Sequence, residues 1–469
     1  VNLSRWGLGL LLLFVVADLG YSFWQHSHIA LDGDLAPVVV PTPSHQAVLD
    51  DPLGLSVLTE GKTYPGPNRY VIHASLRSWF LQVPSLLQAW LAPIASVYLS
   101  SGLAKTLIQL ALLLLLAAFV SQKGVRSTDF WLTAALLTPF FQTRGYNGSM
   151  GLIDISITYT FFYALPAVFF LAFLLPFFRV KMREKKEKLS LPTLLGLALL
   201  AMVLAFSGPL VAPAALLMLG LWGGKWAWEK VIKKKESPLS TSEMILLAWL
   251  GLLCLYSFWL GTHNSENSLE TLSLAESYTR LPRGLFQLLT QKLGFPLLIA
   301  WLLLNLFLLN RHADTPQKQR MLRLFAWLGV FAVLYLLLLP LGGYREYRPL
   351  IIRRDTFLPV TLCLIYAVGA SSLFLLQHAR FRPAWPYRLG LLGLLLVFTL
   401  ADAPDPDHNA CEKRALQQLA AAQEELVELP EDCAVVGWRP VRDPELSRLN
   451  GKLFYLWGIT AQPKRYVQP

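Results

Sequence analysis

Polar and apolar positions along this chain fall into long blocks. Uninterrupted apolar runs such as Leu110–Val120 and Leu324–Leu341 alternate with short polar, often basic, segments. Runs near ~20 residues are what a bilayer core requires of a helix. A transmembrane β-barrel would instead show alternating segments of about ten residues. The pattern therefore predicts an all-α polytopic membrane protein with about eleven transmembrane helices. The spans run roughly over 6–24, 103–121, 129–142, 159–178, 191–206, 208–223, 243–261, 293–310, 324–341, 356–377 and 389–402. The apolar stretch 85–100 is interrupted by Pro93 and reads as an interfacial helix, with a re-entrant or spanning segment as the alternative.

Composition sharpens this picture. Of 469 residues, 54% are hydrophobic and 15% charged, with a mean hydropathy of +0.46. Soluble domains carry about 25% charged residues. A soluble enzyme, a disordered chain and a repeat solenoid are thereby excluded. The net charge of +11, from 41 Lys plus Arg against 30 Asp plus Glu, would raise nucleic acid as a partner in a soluble protein. Here it marks cytoplasmic loops instead, and no nucleic-acid partner is expected.

With the N-terminus cytoplasmic, the inner loops hold Lys123 and Arg126; Arg179, Lys181, Arg183, Lys185, Lys186 and Lys188; Lys225, Lys230, Lys233, Lys234 and Lys235; Arg311, Lys318, Arg320 and Arg323; and Arg380, Arg382 and Arg388. The expected location is a bacterial cytoplasmic membrane, with the C-terminal tail from about 403 outside. Arg5 before an apolar core resembles a signal peptide, but no small-residue cleavage site precedes Gln25, so the segment reads as a span that stays.

Two units follow: a transmembrane domain over 1–402, whose first outer loop (25–102) folds as short interfacial helices including an amphipathic stretch at Ser75–Leu91, and a small outer α+β module over 403–469. Within the tail, Cys411 and Cys433 are placed to form a disulfide, two unpaired thiols being the alternative; Cys254 and Cys363 sit in spans as small core residues. Glu412–Val427 reads as helix and Ala434–Trp438 as strand.

Four segments carry candidate chemistry. Asp32-Gly33-Asp34 follows the first span closely, with His26 and His28 just before it. Gly33 would let a turn present both carboxylates to one site, as a general base or as oxygen ligands of a divalent metal; a solvated turn is the plainer reading. Asp18 is an acid inside the first span. The loop Gln142–Asp154, with Arg144, Tyr146, Asn147 and Asp154, is rich in glycine and hydrogen-bonding groups and suits a cavity lining as well as it suits a solvated turn. Gly342–Asp355 places Arg345, Arg348, Arg353 and Arg354, with Tyr347, on the face that should be poor in positive charge. Guanidinium forks bind phosphate; internal pairing with Glu346 and Asp355 is the competing reading. His263, Asn264 and Glu266 open the other large outer loop and are placed to contact a sugar or acceptor, or to be a plain polar turn. No P-loop, dinucleotide fingerprint, HExxH or GxSxG motif is present.

The layout resembles the GT-C superfamily of membrane glycosyltransferases: acids after span one (Asp32, Asp34), a folded loop to about 102, and an outer basic segment (345–354). The resemblance implies a polyprenyl-phosphate sugar donor, a glycan, lipid or protein acceptor, and membrane lipids as partners. It implies Asp32 or Asp34 as the base on the acceptor hydroxyl, without saying which, and Arg345, Arg348, Arg353 and Arg354 on the phosphate leaving group. A divalent metal (Mg or Mn), held by Asp32 and Asp34, is the one cofactor in view. No oligosaccharyltransferase-type WWD motif is present. Two other classes share these features: a polysaccharide polymerase or ligase acting on lipid-diphosphate glycans, and a lipid or solute transporter, for which ionisable residues in several spans and an internal repeat would be expected.

Overall fold

The computed structural model describes residues 5–183, 189–232, 234, 239–268, 272–378 and 384–469. Lys185, Lys186, Lys188, Lys233, Lys235, Arg380 and Arg382 of the basic loops lie outside the described residues. The protein is mostly helical, and each of the predicted apolar segments overlaps a helix, with ends that differ by a few residues. Among the described residues, six helices are long and apolar enough to cross a membrane: Trp6–His26, Pro93–Ser121, Ile157–Val180, Thr241–Thr262, Pro316–Gly342 and Leu358–Gln377. A seventh span is reached if Leu274–Thr290 and Gly294–Asn310, which meet at 85°, count as one. The expected count of eleven is not reached by this measure, because Thr128–Leu137, Leu191–Ala205 and Trp385–Ala401 are short and Val211–Val231 turns polar at its end. Large apolar side chains face outward, among them Leu400 at 77% exposure and Leu199 at 67%. In water that would be costly; against lipid it is not.

Helix starts follow local chemistry. Ser240 and Glu243 form a reciprocal capping box, and Thr315 caps a helix that begins at Pro316. Pro93 does the same: it opens the 29-residue Pro93–Ser121 helix rather than interrupting an interfacial one. At 1.5 Å per residue this helix is roughly 43 Å long, beyond the ~30 Å hydrocarbon core. Its first turns project past the bundle, where the Tyr98 hydroxyl donates to Glu412 of the tail at 2.6 Å.

The helices run so that the bundle has two distinct ends. At the loop end lie Asp32 and Asp34, the starts of Pro93–Ser121, Ile157–Val180 and Leu358–Gln377, and the close of Thr241–Thr262. At the basic end lie Lys123, Arg179, Gln317 and His378. The first loop folds as helices Leu35–Val39, Pro43–Asp50, Leu55–Glu60 and Tyr70–Leu87. The tail joins it. Cys411 and Cys433 are disulfide-bonded. The Trp457 indole donates to Phe80 O at 3.0 Å and Gln88 donates to Trp457 O at 2.8 Å. The tail helix is Ala410–Ala421, shorter than expected, and Leu426–Glu428 beyond it pairs in parallel with Arg465–Val467. No strand forms at Ala434–Trp438: the Val436 N–H is taken by the Glu412 carboxylate instead of a neighbouring strand.

Candidate functional site at the loop end

The two acids of Asp32-Gly33-Asp34 have separate environments. Asp32 is 4% exposed. Its Oδ2 accepts from the Ser156 hydroxyl at 2.7 Å and from Thr158 N–H at 3.0 Å; its Oδ1 accepts from Asp34 N–H at 3.1 Å. Ser156 in turn caps the next helix by accepting from Tyr159 N–H at 3.0 Å. Asp32 thus locks the first loop to the start of the Ile157–Val180 span. A π-turn at Thr160–Ala164 follows at once, a feature common at functional sites.

Asp34 is half-buried beside Trp438. Its carboxylate accepts from the Trp438 indole at 3.1 Å. Burial raises its pKa above the ordinary carboxylate value; the Trp438 and Tyr159 hydrogen bonds counter this, while the charges of Asp32 and Glu266 add to it. The expected turn forms at Gly33–Asp34, with Leu35 N–H donating to Asp32 O at 3.3 Å; Gly33 keeps an ordinary backbone conformation in it and also serves close approach. A Cβ there would meet Trp438 Cδ1 at 2.6 Å and the Trp438 backbone nitrogen at 3.0 Å.

From Asp34 a ladder of rings and cations leads to the arginine segment. Trp438 stacks on Tyr159 with centroids 5.7 Å apart. Arg353 lies 4.5 Å over the Tyr159 ring and 4.9 Å over that of Tyr347. Arg348 lies 5.4 Å over the other side chain's ring, Tyr347. Acids near the start of the chain and guanidinium groups far downstream therefore occupy one region.

The four arginines differ in freedom. Arg353 pairs with Asp355, which holds the guanidinium charged against the effect of burial. Against the same effect of burial, Arg353 also keeps the Asp355 carboxyl below its ordinary value. Arg354 grips Asp154 through a bidentate fork at 2.7 and 3.0 Å, so both are fixed as structure. Arg345 donates to Asn267. Arg348 has no carboxylate partner among the described residues, and its buried Nε lacks any hydrogen-bond acceptor. Glu346 is exposed and pairs with none of them.

The Gln142–Asp154 loop is built inward. Arg144 pairs with Asp405 and its N–H donates to Asp402; Tyr146 packs edge-on against Phe398 at 5.1 Å; Asn147 donates to Gln142 O and Ile153 O. Their bonds hold a frame, and none of them reaches Asp34. His263 packs on Trp259 at 4.4 Å and caps its helix. Of that group Glu266 bears on Asp34 through its charge; despite burial, Arg69 at 3.3 Å keeps its pKa below the ordinary value. His26 bonds to Gln109 on the Pro93–Ser121 helix, and His28 makes a local bond to Trp24 O.

Sequence reasoning missed three residues. Trp438 and Glu412 had no local signal. Lys105 did: it is a fully buried cation inside an apolar helix, donating to Ile155 O between Asp32 and Asp154.

A divalent metal does not fit these residues. Among the described residues no three metal-ligating side chains converge. Both Asp32 oxygens face N–H and O–H donors, with the Lys105 charge nearby.

Compared with known protein families and with curated proteins, the chain matches no family model and no individual protein.

Proposed function

We propose that this protein is an integral membrane glycosyltransferase that moves a sugar from a polyprenyl-phosphate donor to an acceptor hydroxyl at the loop end. The observation that carries the reading is the single ladder from Asp34 through Trp438 and Tyr159 to Arg353 and Arg348. Asp34 takes the acceptor proton as the acceptor oxygen attacks the anomeric carbon. The bond from that carbon to the phosphate oxygen breaks, and the electron pair leaves with the polyprenyl phosphate. Arg348, the unpaired guanidinium, and Arg353 stabilise the phosphate as its charge grows. Asp32 is a positioning residue, its lone pairs committed to Ser156, Thr158 and Asp34. Eleven spans, a cytoplasmic N-terminus and an extracytoplasmic loop end in a bacterial cytoplasmic membrane belong to the same proposal.

The test is transfer from a panel of polyprenyl-phosphate sugars by purified protein in nanodiscs. Asp34→Asn should lower kcat by about 100-fold or more and leave donor affinity unchanged. Wild-type turnover in that variant would remove the base assignment and favour a polymerase or ligase that relies on the arginines alone.

A further inference from the structure

A cavity of about 770 Å³ opens at the basic end of the bundle, the end opposite Asp34. Its size is that of a site for a small molecule or a lipid headgroup. Around its mouth stand Lys123, Arg179, Arg320 and His378, contributed by four separate segments of the chain. Its inner wall is mainly apolar, from Leu324, Ala370, Phe374 and the ring of Tyr366, whose hydroxyl is the polar group at that depth. From His378 to Tyr366 is three helical turns and more, roughly 18 Å of depth along the Leu358–Gln377 helix.

An excess of Lys and Arg on loops at one membrane face sets orientation. That rule accounts for their number, not for their convergence. Basic side chains on solvated loops lower their repulsion by pointing apart. Here they ring one volume. Lys123 and Arg179 have no carboxylate partner among the described residues, and Asp129 is the single acid in the lining. Tyr366, 9% exposed, lines the interior with a hydroxyl that has no protein hydrogen-bond partner among the described residues.

We infer that this cavity binds an anionic lipid: a phosphate-bearing headgroup among the mouth cations, with its hydrocarbon chain along the apolar inner wall. The gradient from charged mouth to apolar depth matches such an amphiphile and does not match a free anion, which would leave the deeper space without a polar partner. The site is separate from Asp34 and the loop-end arginines and does not depend on the activity proposed for them.

The experiment is calorimetric titration of the full-length protein in neutral detergent with dioctanoyl phosphatidylglycerol. Dioctanoyl phosphatidylcholine and glycerol 3-phosphate are the comparison probes. Saturable binding of the phosphatidylglycerol, weakened about tenfold or more by Lys123→Gln with Arg179→Gln, is the expected result; charge-assisted hydrogen bonds of this kind support a change of that size. Both substitutions lie at the rim of the cavity, and a thermal-unfolding control reports on the fold. As a second variant, Ala370→Leu should weaken the lipid and leave the mouth cations in place. Equal binding of glycerol 3-phosphate would overturn the lipid assignment. Equal binding of the zwitterionic lipid, or phosphatidylglycerol binding unchanged in both variants, would overturn the site.

Discussion

At the scale of single residues, two carboxylates one residue apart have been given different work by what surrounds them. Asp32 is saturated by three donors, while Asp34 is half-buried and met by the Trp438 indole N–H and the Tyr159 hydroxyl. Burial raises the Asp34 pKa, and the Trp438 N–H restrains that rise. A base must be ionised to act, so the proposed transfer should fail on the acid side through a pKa above the usual carboxylate value. Trp438→Phe keeps the stack on Tyr159 and deletes the N–H. It should move the acid limb of kcat/KM to higher pH, leaving the plateau and the donor affinity largely as they were. A pH–rate profile that does not move would show that the indole bond has no bearing on the reacting carboxylate. The acids themselves were legible in the sequence as an Asp-Gly-Asp turn after the first span. Which one is free was not, because the deciding partner lies 404 positions away. The arginines divide in the same manner: their excess on one segment was legible, but only the fold shows Arg354 committed to Asp154 and Arg348 left unpaired.

At the scale of elements, the period and length of apolar runs fixed where the helices lie, since burial and lipid contact act on every residue of a run. Boundaries were set by more local effects. Pro93 reads as a breaker in a hydropathy trace, yet at the first helical position its missing N–H costs nothing. The expected strand at Ala434–Trp438 fails because Glu412 captures the Val436 N–H, a long-range bond that local propensity does not foresee. Glu412 joins three elements: it accepts from Val436 N–H at 2.7 Å, Leu31 N–H at 3.0 Å and the Tyr98 hydroxyl at 2.6 Å. The first bond lies two residues from Trp438 and the second lies next to Asp32. Burial raises the Glu412 pKa from 4.5 to about 7, against the pull of those donors. With the folded value above the unfolded one, its contribution to stability is fully present below pH 4.5 and is lost as pH rises through about 7. Glu412→Gln removes this dependence. The Tm of the variant relative to wild type should therefore climb between pH 5 and pH 8, measured in one detergent at constant ionic strength. A difference that stays flat over that range would mean that Glu412 does not exchange a proton between the folded and unfolded states there.

At the scale of the whole molecule, the chain sorts its charges by end. The first loop, the arginine segment and the disulfide-bonded tail meet at one end, and Lys123, Arg179 and Arg320 gather at the other. This arrangement makes the membrane orientation a testable consequence of charge, because loops rich in Lys and Arg remain on the cytoplasmic side. Glu346 at the loop end and Lys123 at the basic end are both exposed, so a cysteine at either is accessible to reagent. The native background is low: Cys254 is buried, Cys363 lies within a span, and Cys411 is bonded to Cys433. In sealed right-side-out vesicles, a membrane-impermeant maleimide should label Glu346→Cys directly and Lys123→Cys only after permeabilisation. The reverse pattern would put the loop-end arginines in the cytoplasm, where a lipid-linked donor at the outer leaflet could not reach them, and the proposed transfer would have to be moved to the other face. The same labelling tests the reading of the tail, since a disulfide persists on the extracytoplasmic side and not in a reducing cytoplasm. Agreement between the Glu346→Cys label and an intact Cys411–Cys433 bond would tie the proposed catalytic end and the oxidised module to one side of the bilayer by two independent chemistries.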